Sequence, residues 1–355
     1  MKVLLVTDTY PTPDRPSAGI FVRHQFRFFT RHATDDEAFD LFKVRTHSRG
    51  KRFSFWHRLW SSIKFIPKYF RRYDIVHVHS VTTLLHAARF YRLLHPRVRL
   101  ILSIHGGSIR QFDQHSVRTQ RRFAKAAQRY DAIIIAGESL RPVIERQLGV
   151  KTAQVICAGA DDLRFHRNDK ITKEYDFIFV GSFSEHKGAD ILLSALNMLE
   201  DQAIKACFVG SGELKDALKR AGHHLDIDVF VDVPQTRLRQ LYAASRFLVF
   251  PARGESFGLV VTEAMYCGVP AIVNAESGAA EQVVHQQTGI TFKPNTAEQL
   301  SRTLVAAIRM NSDSYQEMSD QAARSNLEFS LSRVGTQLMQ LYRQLSSEQD
   351  LAKRG

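Results

Sequence analysis

RFLVFPARGESFGLVVTEAMYCGVPAIVNAE, residues 246–276, reads as strand, loop, helix and strand in turn. RFLVF and PAIVN are short, continuously apolar and rich in β-branched or aromatic residues. Such strands are buried on both faces, which is the property of parallel sheets covered by helices. Between them ARGES is polar and FGLVVTEAMYC has the length and composition of a helix, with Ser256 as its expected N-cap. Amide groups at the start of a helix are unpaired and carry its positive end, so Phe257, Gly258 and Leu259 offer donors to phosphate or sugar oxygens. Glu255 stands before the helix and Glu263 two turns along it, giving two carboxylate acceptors at different depths. An ordinary capping loop with a solvated glutamate accounts for the same segment.

The same alternation extends in both directions. VLLVTD, DIVHVHS, VRLILSIHG, DAIIIAG and AQVICAG read as strands in the first half. FIFVGSF, KACFVGSG and DVFVDV join the two above in the second. Helical stretches fall at 118–129, 186–199, 213–221, 235–244 and 257–267. Two strand–helix series in 355 residues predict an α/β protein of two Rossmann-like domains, with parallel sheets facing across a cleft. The polar stretch 159–176 lacks periodicity, which places the domains at 1–165 and 166–329. Leu331, Val334, Leu338, Leu341 and Leu345 recur at helical spacing. They predict a helix over 330–346 that covers the second domain or docks back on the first.

Charge is unevenly distributed. The net charge is +13, yet residues 1–165 hold 29 Lys and Arg against 13 Asp and Glu, and the remainder is slightly acidic. An anionic surface facing the first half is therefore expected. Residues 51–72, KRFSFWHRLWSSIKFIPKYFRR, place Trp56 and Trp60 with other apolar residues on one helical arc. Arg58, Lys64, Arg71 and Arg72 lie on the other. That stretch fits either packing on the first sheet or an anionic membrane surface. Stacking strands and groove-reading helices are not evident, which argues against nucleic acid. Three widely spaced cysteines, Cys157, Cys207 and Cys267, form no disulfide framework and point to buried thiols in a reduced compartment. No apolar run approaches the roughly 20 residues needed to span a bilayer. The expected location is the cytoplasm, peripheral to the inner face of the membrane.

Metal signals are weak. His77 and His79 share a sheet face without an evident third ligand. Asp226 and Asp228 form a DxD beside a strand, where turn acids are commoner. Gly210-Ser211-Gly212 lacks the remainder of a dinucleotide fingerprint.

Six segments in order resemble the retaining glycosyltransferases of family 4, which have the GT-B fold and an E-x7-E signature. They are DIVHVHS (74–80), SIHGGSIR (103–110), FVGSFSEHKGADILLSAL (179–196), FVGSGEL (208–214), GESFGLVVTEAMYCGVPAIV (254–273) and SGAAEQV (277–283). The resemblance implies sugar transfer from a UDP- or GDP-sugar to a saccharide or lipid-linked acceptor, with no metal and no cofactor. It implies that Glu255 contacts the donor sugar and that His105 lies near it. Phe257, Gly258 and Leu259 would hold sugar and diphosphate through their amides. Glu263 would bind the ribose, Lys187 would neutralise the diphosphate, and the loop at Gly19 would approach phosphate. The chain departs from the family's Gly-Arg at Gly181-Ser182, and Arg253 is the candidate replacement cation beside Ser182. Asp232 stands where the base loop usually has glycine. Two other functions share these features. One is a nucleotide-sugar epimerase of the same architecture, and the other a non-catalytic nucleotide- or glycan-binding protein.

Overall fold

The computed structural model describes residues 1–12, 18–43, 71–79, 91–106, 109, 112, 116–325 and 327–351. Its contacts divide the chain into two compact units, Met1–Gly159 with Leu331–Gly355, and Ala160–Ser330.

The first unit holds a six-stranded parallel sheet, ordered β2-β1-β3-β4-β5-β6. Its strands are β1 (Lys2–Thr7), β2 (Ala38–Lys43), β3 (Ile75–His79), β4 (Arg99–Ile104), β5 (Ala132–Ile135) and β6 (Gln154–Val155). Helices α1 (Ile20–His32), α2 (Val117–Ala127) and α3 (Arg141–Leu148) belong to the same unit. Strand β3, IVHVH, is buried at every position, its two histidines included.

The C-terminal helix, Leu331–Leu351, belongs to this unit as well. Val334, Leu338, Leu341 and Leu345 are buried, so the periodic apolar stripe is the packing face. Tyr342 sits edge-on to Phe29, its hydroxyl lies 2.6 Å from His77 Nδ1, and Arg343 makes a two-pronged ion pair with Glu37. Gly335 is where this helix meets α1, because a Cβ there would fall 2.3 Å from the Phe28 ring. Alanine at 335 gains helix propensity but overpacks a ring already stacked on His32 at 4.0 Å. Gly335→Ala is expected to destabilise the protein by about 1–2 kcal/mol, read as a lower urea midpoint. A raised midpoint would mean that Phe28 moves freely.

The second unit holds the other sheet, ordered β12-β11-β10-β7-β8-β9 and again all parallel. Strands β7 (Tyr175–Val180), β8 (Lys205–Val209), β9 (Asp226–Phe230), β10 (Ser245–Phe250), β11 (Ala271–Asn274) and β12 (Gly289–Phe292) alternate with helices. These are α4 (Ala189–Asn197), α5 (Lys215–Ala221), α6 (Gln235–Ala243), α7 (Leu259–Tyr266), α8 (Ala297–Ile308) and α9 (Ser312–Arg324). In order of appearance this is the doubly wound arrangement, whose strand order reverses between β7 and β10.

The domain boundary falls at 159/160 rather than 165/166. Phe165 is 1% exposed and packs edge-on to Tyr242 in the second core, so its side chain carries the preceding residues with it. Ala160 and Ser330, the two ends of the second unit, form an isolated parallel bridge.

Candidate active site

In an open parallel sheet a ligand site forms beyond the carboxyl ends of the strands where their order reverses. In the second unit that place is bounded by the chain leaving β7, residues 181–188, and the chain leaving β10, residues 251–258. Lys187 lies on the first and Glu255 on the second, and the fold joins them in an ion pair between Nζ and Oε2. The Glu255 side chain is only 10% exposed. Its Oε1 accepts the Ser256 N–H at 3.0 Å, and its backbone carbonyl accepts the Gly278 N–H at 2.7 Å. Lys187 also lies 5.6 Å from the Phe250 ring centroid. Both oxygens of the carboxylate therefore have donors, and its backbone is tied to the loop after β11.

Helix α7 begins at Leu259 and its cap is Gly258, in the left-handed conformation at φ 79°, rather than Ser256. Ser256 is buried beside Glu255 and makes no side-chain cap. Only glycine takes this conformation without strain, and here a Cβ would also lie 3.0 Å from Phe250. Among the described residues the N–H groups of Phe257, Gly258 and Leu259 have no partner, as the start of a helix requires. Their carbonyl side is held instead: buried Gln282 donates its amide to the carbonyls of Phe257 and Gly258 and accepts from Thr262. Gln282 escapes sequence reasoning because it acts across more than 20 residues.

Glu263 is half-buried on α7, and the Tyr242 hydroxyl donates to its Oε2 at 3.2 Å. Burial pushes its carboxyl pKa up to about 8, against the lowering effect of Tyr242; Asp161 adds to the rise and Arg164 opposes it. Tyr242 escapes sequence reasoning, since a core tyrosine on α6 carries no local motif.

The remaining candidates divide. Ser182 is exposed and hydrogen-bonds Ser184 at 3.0 Å. Arg253 is engaged elsewhere. Its guanidinium grips Asp190 with two bonds of 2.8 and 2.7 Å and donates to the Glu185 carbonyl, which fastens the 185–190 turn. This fork is occupied by the 185–190 turn, as Lys187 is by Glu255. Asp226 and Asp228 lie within β9, and Asp228 accepts the Tyr175 hydroxyl at 2.8 Å. Gly210 accommodates the Gly181 carbonyl, 1.9 Å from where its Cβ would be. Asp232 holds a positive φ of 54°, the backbone state for which glycine is usual.

In the first unit Gly19 caps α1 at φ 63°, and a Cβ would collide with the Thr9 carbonyl at 2.1 Å. That close backbone approach and the left-handed φ both require glycine here. His105 follows β4, is half-buried, and lies 3.3 Å from His79. Burial lowers its pKa to about 4. Trp56, Arg58, Trp60 and Lys64 lie outside the described residues. Arg71 and Arg72 are exposed, and Arg71 pairs with Asp40 at 3.4 Å. The three cysteines are buried.

Comparison with known proteins gives these features a context. Residues 161–325 match the model of glycosyl transferases group 1, and residues 22–164 match that of glycosyltransferase family 4. A putative teichuronic acid biosynthesis glycosyltransferase, TuaC of Bacillus subtilis (strain 168), is 23% identical over 219 residues, covering 59% of this chain and 54% of that protein. The chain spans about half the length of the curated relatives it matches. Among solved structures, Anabaena Alr3699/HepE in complex with UDP and glucose aligns with a TM-score of 0.75 at 17% identity. The alignment covers 97% of this chain and all of that one. Sucrose-phosphate synthase from Thermosynechococcus elongatus aligns at 0.80, also with 17% identity, over 98% of this chain and all of that one. These likenesses establish the GT-B fold. The two family matches run consecutively from residue 22 to residue 325, and the chain therefore belongs to the glycosyltransferases that join a family 4 segment to a group 1 segment.

Proposed function

We propose that the protein transfers a sugar, with retention of anomeric configuration, from a UDP- or GDP-sugar to a glycan or lipid-linked saccharide acceptor. The setting is assembly of a cell-surface polysaccharide such as lipopolysaccharide, at an anionic membrane surface on the cytoplasmic side. The observation that carries this reading is the Lys187–Glu255 pair at the order reversal of the second sheet, beside the free amides of α7. A departing nucleotide diphosphate develops negative charge, and fixed cations and amides stabilise it without reorganisation. Lys187 and the amides of Phe257, Gly258 and Leu259 supply both, and Ser182 adds a hydroxyl. Glu255 accepts hydroxyls of the transferred sugar and Glu263 takes the ribose; His105 and the Gly19 loop are the candidate ligand-facing groups of the first unit.

In the reaction the bond from the anomeric carbon to the diphosphate oxygen breaks. The acceptor oxygen bonds to the same face of that carbon, and its proton passes to the leaving phosphate. The scheme needs no metal and no cofactor. Relatives named for polysaccharide and sugar-phosphate synthesis, and the UDP and glucose of the Anabaena complex, support the donor class. No helix among the described residues is long and apolar enough to cross a membrane. The excess of cations in residues 1–165 supports peripheral attachment.

A panel of nucleotide sugars tests the reading. A donor held at 100 times its Kd is expected to stabilise the fold by about 2.7 kcal/mol, seen as a raised Tm, and equally in EDTA. Absence of any shift across UDP-, GDP-, ADP- and TDP-sugars would overturn it.

A further inference from the structure

The first sheet reverses its strand order between β1 and β3, and β3 ends on His79. His105 follows β4, the neighbour of β3, so the two imidazoles stand side by side at the carboxyl ends of adjacent strands. Nδ1 of His79 is 3.3 Å from Nε2 of His105, and the ring planes differ by 3°. Coplanar rings point the N–H of one at the lone pair of the other. Phe21, in the first turn of α1, lies against the His105 ring at 4.6 Å and completes its seat.

His77 shows what a structural histidine looks like in this place. Its Nδ1 lies 2.6 Å from the Tyr342 hydroxyl and its Nε2 lies 2.7 Å from the Ser103 hydroxyl, so both nitrogens are satisfied. His79 is as deeply buried, at 1% exposure, yet among the described residues its Nε2 has no partner. Among those residues its hydrogen bond goes to His105. Burial holds all three imidazoles neutral at pH 7, so each carries one ring proton.

Two arrangements of those protons are possible between His79 and His105. If His105 donates from Nε2, then Nε2 of His79 is a buried N–H without an acceptor. If His79 donates from Nδ1, then Nε2 of His79 is only a bare lone pair. Orphaned buried N–H groups are the rarer and costlier of the two. We propose that His79 is a positioning residue: its Nδ1–H donates to His105 Nε2 and fixes the His105 proton on Nδ1, which is thereby a permanent hydrogen-bond donor for a substrate oxygen. The last step rests on the proposed function; the proton placement does not. His105 is then a neutral donor at pH 7 rather than a general base.

Nitrogen-15 NMR of the labelled wild-type protein reads the tautomer directly and without any donor. The expected result is a protonated Nδ1 and a bare Nε2 on His105; a proton on Nε2 overturns the proposal. His79→Phe keeps an aromatic ring, one atom larger than imidazole, and removes both nitrogens, so relief of the unpaired one offsets the tighter packing and the fold is expected to hold. It is expected to move the His105 proton and to lower kcat by roughly tenfold or more, with KM changed far less. His79→Asn, whose amide restores a donor at the place of Nδ1, is expected to recover both the tautomer and most of kcat. An unchanged His105 tautomer in His79→Phe sinks the proposal even if kcat falls. Full transfer by His105→Ala would instead remove His105 from substrate contact, leaving the tautomer measurement to decide the role of His79.

Discussion

Glu255→Gln is expected to lower kcat by about 10^3-fold or more, equivalent to about 4 kcal/mol of transition-state stabilisation. The side chain keeps its shape and loses its charge. In the wild type that charge is fixed before any substrate binds, by Lys187 on Oε2 and the Ser256 N–H on Oε1, with the backbone held by Gly278. Preorganised charge acts in the transition state because nothing has to turn toward the reacting centre. Stability should change little. Lys187 keeps 27% exposure and can turn to water, so loss of the pair costs on the order of 1 kcal/mol. The measurement is single-turnover transfer with saturating donor, beside a thermal melt. Loss of transfer with unchanged donor-induced stabilisation would place the charge in the chemical step. Near-wild-type transfer by the variant would falsify the site. Lys187→Met separates the partners: it should weaken donor binding through the diphosphate, whereas Glu255→Gln should not.

What could be foreseen here follows the range of the interactions. Buried parallel strands such as FIFV and FLVF are continuously apolar, so their positions are visible in the sequence. The edge strand β2, AFDLFK, is not, because its exposed ends and Asp40 break that run. Strand β12, only four residues with a leading glycine, is missed for the same lack of pattern. The start of α7 is not legible in the sequence, because the cap is a backbone conformation at Gly258, whereas sequence rules look for a side chain such as Ser256. Charge partners were the least visible. Lys187 and Arg253 look alike as cations near a phosphate site, and only the fold shows that one meets Glu255 and the other Asp190. The histidines divide in the same way: alternation puts His77 and His79 on one face, but only the third dimension gives Tyr342 to one and His105 to the other.

Donor affinity is expected to fall by up to about tenfold for each pH unit below 8, because Glu263 must lose a proton to take the ribose. In the free protein burial raises its carboxyl from the ordinary 4.5 to about 8, so near pH 6 it is neutral. A ribose diol offers two hydroxyl donors, and only the carboxylate accepts both while still accepting Tyr242. Binding therefore selects the ionised form and releases a proton. The effect on stability has the opposite sign. A carboxyl whose folded pKa lies above its unfolded one favours the fold below about 4.5, and that contribution is lost as pH rises toward 8. Free protein should thus lose stability over the interval in which donor binding strengthens, and the donor-induced rise in Tm should grow between pH 6 and 8. Calorimetry with a nucleotide sugar, whose esterified diphosphate keeps its charge over this range, reads both the affinity and the released proton. Glu263→Gln imitates the neutral carboxyl and should bind weakly with no pH dependence from 6 to 9. Tight binding by that variant, or a flat wild-type profile, would mean that the protonated acid suffices and that Glu263 holds the ribose with one hydroxyl donated and one accepted.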